Sequence, residues 1–168
     1  MLISEETSKA LDILYNQFFN LNALYDNAVS YMLNEWCMPN ASNIIHHNLA
    51  HGFPVMADMI SEIKDNYDMR SIRTEIPRHD EEYSDLSDMM NTLYMYCEKT
   101  YEMIKQTSRI AMDNEDLNVL SALVDFTNTF SKIIGQVTTL QNKAEQMPTE
   151  YDKFDRHIDK WGIVGLEV

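Results

Sequence analysis

The chain has 168 residues, a formal net charge of −14 and two cysteines. That length suits one domain with a core that needs no disulfide, so we expect residues 1–168 to form a single domain. The charge, with no Lys/Arg cluster to offset it, excludes nucleic acid as a main partner.

The composition also predicts where the protein works. The cysteines show neither a CxxC nor a zinc spacing, which fits a reducing compartment. No apolar run approaches the roughly eighteen residues of a membrane span. We therefore expect a cytoplasmic protein that does not engage a membrane.

The first predicted element is a long amphipathic helix. Ser4, followed by Glu5 and Glu6, supplies a capping oxygen and acidic groups for its first turn. Apolar residues then recur in steps of three and four over about thirty residues. They are Leu11, Leu14, Phe18, Leu21, Tyr25, Ala28 and Met32. Pro39 predicts the end, because the residue before a proline disfavours the helical conformation.

The second predicted helix begins near residues 40–42 and contains Pro54. Proline removes one helical hydrogen bond and its ring clashes with the carbonyl four residues back, so we expect a kink near His51. From about residue 66 to residue 84 the helical periodicity fails, which predicts an unusually long connection.

Two further amphipathic helices follow. The third is predicted to bury Leu86 near its start and to end at the polar turn of residues 112–116. The fourth is predicted to end before Pro148. We expect residues 149–168, which hold a short amphipathic stretch, to form a C-terminal extension or a short fifth helix. Short, long and short connections predict an all-α, antiparallel four-helix bundle with a crossover between helices 2 and 3.

Segments of the first two helices resemble metal-binding segments of the ferritin-like superfamily. Asn20-Leu21-Asn22 resembles an N-L-E segment, so Asn22 stands where the family has its first glutamate ligand. His47-Asn48-Leu49-Ala50-His51 resembles E-E-x-x-H. This match makes Asn48 the counterpart of the bridging glutamate and His51 the counterpart of the family histidine.

A segment of the third helix completes the resemblance. Cys97-Glu98-Lys99 resembles the family's L-E-K segment, which makes Glu98 the remaining carboxylate. The resemblance covers about residues 8–145. It implies a ferritin-like bundle with iron or another transition metal, and assembly into a homo-oligomer.

Two of these positions depart from the family pattern. Asn22 and Asn48 replace glutamates, and a neutral amide is a weak ligand for hard or borderline cations, which argues against a standard di-iron ferroxidase centre. His47 and His51 lie one helical turn apart, and with Glu98 across the bundle they predict a site for one transition-metal ion. The competing interpretation places His47 in solvent and makes His51 a hydrogen-bonded core residue.

Three functions follow from these patterns. The first is a divergent ferritin-like protein that binds iron or another transition metal, with weak or lost ferroxidase activity. The second is a non-catalytic helical scaffold or interaction protein that forms a homo-oligomer. The third is a magnesium-dependent nucleotide pyrophosphatase, whose paired acidic motifs are incompletely matched here. The residues concerned are Glu62, Asp65, Asp85 and Asp88.

Overall fold

The computed structural model of the chain describes residues 2–166, which contain helices and no β-strand. The α-helices are α1 (Glu5–Glu35), α2 (Pro39–Ile45), α3 (Gly52–Asp65), α4 (Leu86–Asp113), α5 (Leu117–Gln146) and α6 (Tyr151–His157). A π-helical segment, His46–Ala50, joins α2 to α3, and a 3₁₀ turn, Ile158–Lys160, follows α6. The all-α prediction is confirmed.

The start of α1 is capped as its sequence predicts. The Ser4 hydroxyl oxygen accepts a hydrogen bond from the Thr7 amide at 3.0 Å. The carboxylate of Asp116, which lies just before α5, accepts hydrogen bonds from the Ser4 hydroxyl at 3.0 Å and from the Thr7 hydroxyl. This buried carboxylate therefore holds the N-terminus of α1 against the turn between α4 and α5.

The four long helical segments pack as two hairpins. Helix α1 packs against α3 and α4, and α5 packs against α4 and α3. Each helix buries apolar residues at steps of three and four, as in α5, where Phe126, Phe130, Ile133 and Val137 are at most 2% exposed. This arrangement is the predicted antiparallel four-helix bundle. Among the residues described, no helix is long and apolar enough to cross a membrane.

The crossover, residues 66–85, runs along α1 without helical structure of its own. It is held mainly by polar side chains of α1. The Asn16 amide nitrogen donates to the Ile72 carbonyl at 2.8 Å, and the Tyr31 hydroxyl donates to the Tyr83 carbonyl at 3.1 Å. The crossover thus connects opposite ends of the bundle, which explains its length.

One buried ion pair anchors the beginning of the crossover. Lys64 Nζ lies 2.6 Å from Asp12 Oδ1, and the two side chains are 2% and 18% exposed. The same carboxylate oxygen accepts a hydrogen bond from the Ile72 amide at 3.1 Å. Asp12 therefore joins α1, α3 and the crossover.

The C-terminal extension docks against α2 and contains the short helix α6. Phe154 and Ile158 are fully buried. The Asp155 carboxylate accepts a hydrogen bond from the Ala41 amide at 2.7 Å, in the first turn of α2. Farther on, the Asn48 side chain donates to the Ile163 carbonyl at 2.8 Å. These contacts hold the extension beside the π-helical segment.

Candidate functional site

A π-helical interruption lies where the kink was expected, and Asn22 contacts its end. The regular helix is interrupted at His46–Ala50, and Pro54, lacking an N–H group, cannot donate to the Ala50 carbonyl four residues back. The Asn22 side-chain amide donates to that carbonyl at 2.9 Å. A buried carbonyl without a donor is costly, so Asn22 compensates for the proline.

This relation gives a first testable prediction. Asn22→Ala should lower the free energy of unfolding by about 1–2 kcal/mol, because the carbonyl of the buried Ala50 loses its donor. Pro54→Ala in the same chain should recover part of that loss, since an alanine at position 54 restores an amide N–H. Urea unfolding of the four combinations measures the coupling. Additive effects would contradict the assigned role.

The π-helical segment gathers three histidines on one surface. The His51 amide donates to the His46 carbonyl, five residues back, at 3.1 Å. The ring centroids are 4.3 Å apart for His46 and His51, 5.0 Å for His46 and His47, and 5.1 Å for His47 and His51. His47 and His51 are exposed. His51 is therefore not the core residue of the competing interpretation, whereas His47 does face solvent.

The sequence patterns had not singled out His46 or its partner Asp26. His46 Nδ1 lies 3.2 Å from Oδ1 of Asp26, a residue of helix α1. Two features of the sequence could have indicated this contact. His46 is adjacent to His47, and Asp26 lies one helical turn after Asn22. Only the π-helical turn, which periodicity does not predict, brings His46 next to His51.

The other two predicted ligands lie elsewhere. The Asn48 amide nitrogen is bonded to the Ile163 carbonyl, on the side of the C-terminal extension. Glu98 is exposed and lines a groove between α4 and α5 with Tyr94, Tyr101 and Ser131. The structure therefore brings His47 and His51 together, but it does not place Glu98 with them.

The centre of the bundle is filled by aromatic rings. Phe18 of α1 packs edge-on against Phe126 and Phe130 of α5, with centroids 5.3 and 5.4 Å apart. Phe53 of α3 lies 6.4 Å from Phe18 and 4.7 Å from Tyr25. All five side chains are at most 1% exposed. These contacts join three of the four helices through apolar surface.

The polar groups beside these rings are uncharged. The Tyr25 hydroxyl lies 3.2 Å from the Leu93 carbonyl oxygen and 3.1 Å from Cys97 Sγ. Burial raises the pKa of the Cys97 thiol to about 12 and raises the pKa of Tyr25 well above its usual value. At neutral pH the thiol stays protonated, whereas a metal ligand would be a thiolate.

These donors do not fit a di-iron centre inside the bundle. Among residues 2–166, the histidine with the most buried side chain in an ion pair is His79, 5% exposed, but it lies in the crossover and contacts Glu81 and Asn20. The buried Asp116 accepts a hydrogen bond from Ser4, the cap of α1. Within the same range, no three His, Cys, Asp or Glu side chains are placed to hold a metal ion in their present conformations. The interior of the bundle is therefore an apolar core.

The acidic pairs of the pyrophosphatase hypothesis lie at opposite ends of the bundle. Glu62 and Asp65 end α3, beside Lys64 and its partner Asp12, whereas the N-terminal end of α4 lies beside Tyr31. Asp12 and Tyr31 are separated by about 28 Å along α1. Two residues at the start of α4 serve its cap: Asp85 accepts from the Asp88 amide, and Asp88 accepts from the Ser84 amide.

Comparisons with solved structures identify the architecture. A humanized archaeal ferritin superposes with a TM-score of 0.88 and 14% identity, covering 99% of each chain. An open-pore ferritin from Archaeoglobus fulgidus gives a TM-score of 0.86 at 14% identity, covering 95% of this chain and 97% of that one. An engineered closed form of that ferritin gives 0.85 at 15% identity, covering 93% and 96%.

Sequence comparisons give no such relatives. No protein-family model matches the chain, and no curated protein matches it. The likeness at 13–15% identity therefore concerns the fold. It extends over nearly the whole chain and agrees with the helix order and the single long crossover described above. This chain has the ferritin-like four-helix-bundle fold.

Proposed function

We propose that this chain is a ferritin-like scaffold subunit that assembles with copies of itself. The observation that carries the proposal is the aromatic centre of the bundle, where Phe18, Phe53, Phe126 and Phe130 pack together. Such an interior stabilises the shape of the subunit and offers no carboxylate or imidazole for iron chemistry. We therefore place the function of the subunit on its surface.

An apolar groove on that surface supports self-association. The groove has a volume of about 650 Å³ and lies between α1, the crossover and α4. Ile13 and Ile72 line it and are 63% and 56% exposed. Exposed apolar side chains surrounded by polar residues are typical of interaction sites. We infer that a second copy of the chain covers them.

Charge favours a copy of the same chain as the occupant. Lys9 and Lys99 line the groove together with Glu75. In a two-fold interface the same patch meets itself, so a patch with both signs of charge can pair with its own copy. The similar structures include an open-pore ferritin and its closed form, and pores are features of an assembly.

Sedimentation velocity tests the proposal. The wild-type chain should sediment as a multiple of 19.6 kDa. Ile13→Glu with Ile72→Glu should shift the species to smaller masses, because the charges would be buried without partners in the interface. Val124→Glu is the control, since Val124 is 55% exposed on α5, outside the groove. A monomeric wild type would overturn the proposal.

Transition-metal binding is the second candidate function. We propose it only for the histidine surface, where the rings of His47 and His51 lie 5.1 Å apart beside His46. The resemblance implied iron with weak or lost ferroxidase activity. Asn22, Asn48 and Glu98 have other contacts or lie on another face, so they take no part in this candidate.

A further inference from the structure

We propose that His46, His47 and His51 bind one divalent transition-metal ion, with Asp26 orienting His46. The inference rests on the second candidate function and does not depend on self-assembly. It differs from the site implied by the ferritin resemblance, because it lies on the outer surface of the π-helical segment and includes His46.

The spacing of the rings supports a shared ion. Three imidazoles that bind one tetrahedral ion through nitrogens about 2.1 Å from it have ring centres ~5 Å apart. The three centroid distances here are 4.3, 5.0 and 5.1 Å. In their present conformations the three side chains are not placed to hold an ion. Binding therefore requires the exposed rings of His47 and His51 to turn about their side-chain bonds.

Asp26 fits the role of a carboxylate behind a ligand. Its Oδ1 lies 3.2 Å from His46 Nδ1, so the carboxylate can accept a hydrogen bond from that nitrogen. His46 Nε2 is then the nitrogen left to bind a metal ion. Metal-binding histidines usually donate their second N–H group in this way, which fixes the tautomer and the ring direction.

The backbone holds the three residues in this arrangement. The widened turn is closed by the hydrogen bond from the His51 amide to the His46 carbonyl at 3.1 Å. Asn22 bonds the neighbouring Ala50 carbonyl at 2.9 Å and so steadies the end of the segment. Single π-helical turns inside α-helices are frequent at functional sites. Asn22 is therefore a positioning residue for this surface.

The donors define the class of ion. Neutral imidazoles suit zinc, copper and nickel, whereas magnesium and calcium prefer oxygen ligands. Three protein ligands leave the fourth tetrahedral position for water. The net charge of −14 also attracts cations to the surface. Zinc is the probe of choice because it accepts this ligand number without a redox change.

Calorimetric titration of the chelator-treated full chain with zinc tests the site. We expect one equivalent per chain, with affinity lowered at least about tenfold by His47→Ala or His51→Ala. Asp26→Asn should weaken binding about 10–100-fold without removing a ligand. His157→Ala is the matched control, because His157 lies on α6 and not in the π-helical segment, and it should leave the affinity unchanged.

A second readout separates this site from general attraction to an acidic surface. Cobalt bound to three imidazoles and water should give the visible absorption of a tetrahedral ion, and the His46→Ala/His47→Ala/His51→Ala variant should lose it. Zinc affinity equal to wild type in that variant, or no saturable binding in the wild type, would overturn the inference. Circular dichroism checks that each variant keeps its helices.

The double variant with charges in the groove between α1, the crossover and α4 distinguishes this inference from the assembly proposal. Ile13 and Asn22 are nine positions apart, which places them on opposite sides of α1 at about 3.6 residues per turn. Ile13→Glu with Ile72→Glu should therefore lose assembly and keep zinc binding. Loss of zinc binding on dissociation would instead mean that ligands come from neighbouring copies, which contradicts a site within one chain.

Discussion

Replacing Phe18 by alanine should lower the free energy of unfolding by about 3–5 kcal/mol. Phe18 is fully buried and lies against Phe53, Phe126 and Phe130, so truncation removes its own buried surface and leaves a cavity among three rings. Little relaxation can refill such a cavity, because the neighbouring rings are held by α3 and α5. Urea unfolding followed by circular dichroism measures the loss.

The adjacent residue provides a matched control. Phe19 is half-buried, packs edge-on against Tyr15, and lies under the Arg73 guanidinium, 3.6 Å from the ring centroid. Phe19→Ala should cost about 1 kcal/mol, as expected for a cation–π contact at the surface. Equal losses for the two variants would mean that the centre of the bundle is loosely packed, and the argument for a rigid aromatic interior would fail.

Replacing Asp12 by alanine should cost about 3 kcal/mol. Lys64 is 1% exposed, and without Asp12 its ammonium group remains buried with no carboxylate beside it. The Ile72 amide also loses its acceptor, so the crossover loses a contact where it leaves α3. Thermal and urea unfolding should both report the loss.

Replacing Lys64 instead of Asp12 should lower the free energy of unfolding by less. Lys64→Met removes the buried charge and keeps most of the side-chain volume, so we expect a loss of about 1 kcal/mol. The Asp12→Ala/Lys64→Met variant should be more stable than Asp12→Ala alone, because no buried charge then lacks a partner. A double variant less stable than Asp12→Ala would contradict the buried-pair explanation.

The fold was predictable because periodicity and helix-ending signals agree along the chain. Ser4 starts α1, Pro39 separates α1 from α2, and α5 ends at Gln146, before Pro148. The loss of periodicity after α3 marked the crossover. Each of these signals depends on neighbouring residues only, so reading the sequence is enough to find them.

The candidate site was only partly predictable. Spacing indicated that His47 and His51 share a helical face, and the structure places their rings 5.1 Å apart. The family resemblance also placed Glu98 across the bundle from them, but it lies exposed beside α5. An α-helical period does not predict a π-helical turn, in which the hydrogen bond from His51 to His46 spans five residues. His46 was missed for that reason.

The hydrogen bond from Asn22 to the Ala50 carbonyl has an evolutionary consequence. Pro54 leaves that carbonyl without its helical donor, and Asn22 supplies one from another helix. Loss of the asparagine alone should lower stability, whereas its loss after the proline has gone should cost less. The order in which mutations arise therefore decides which are tolerated, and in descendants of this sequence the two positions should be inherited as a pair.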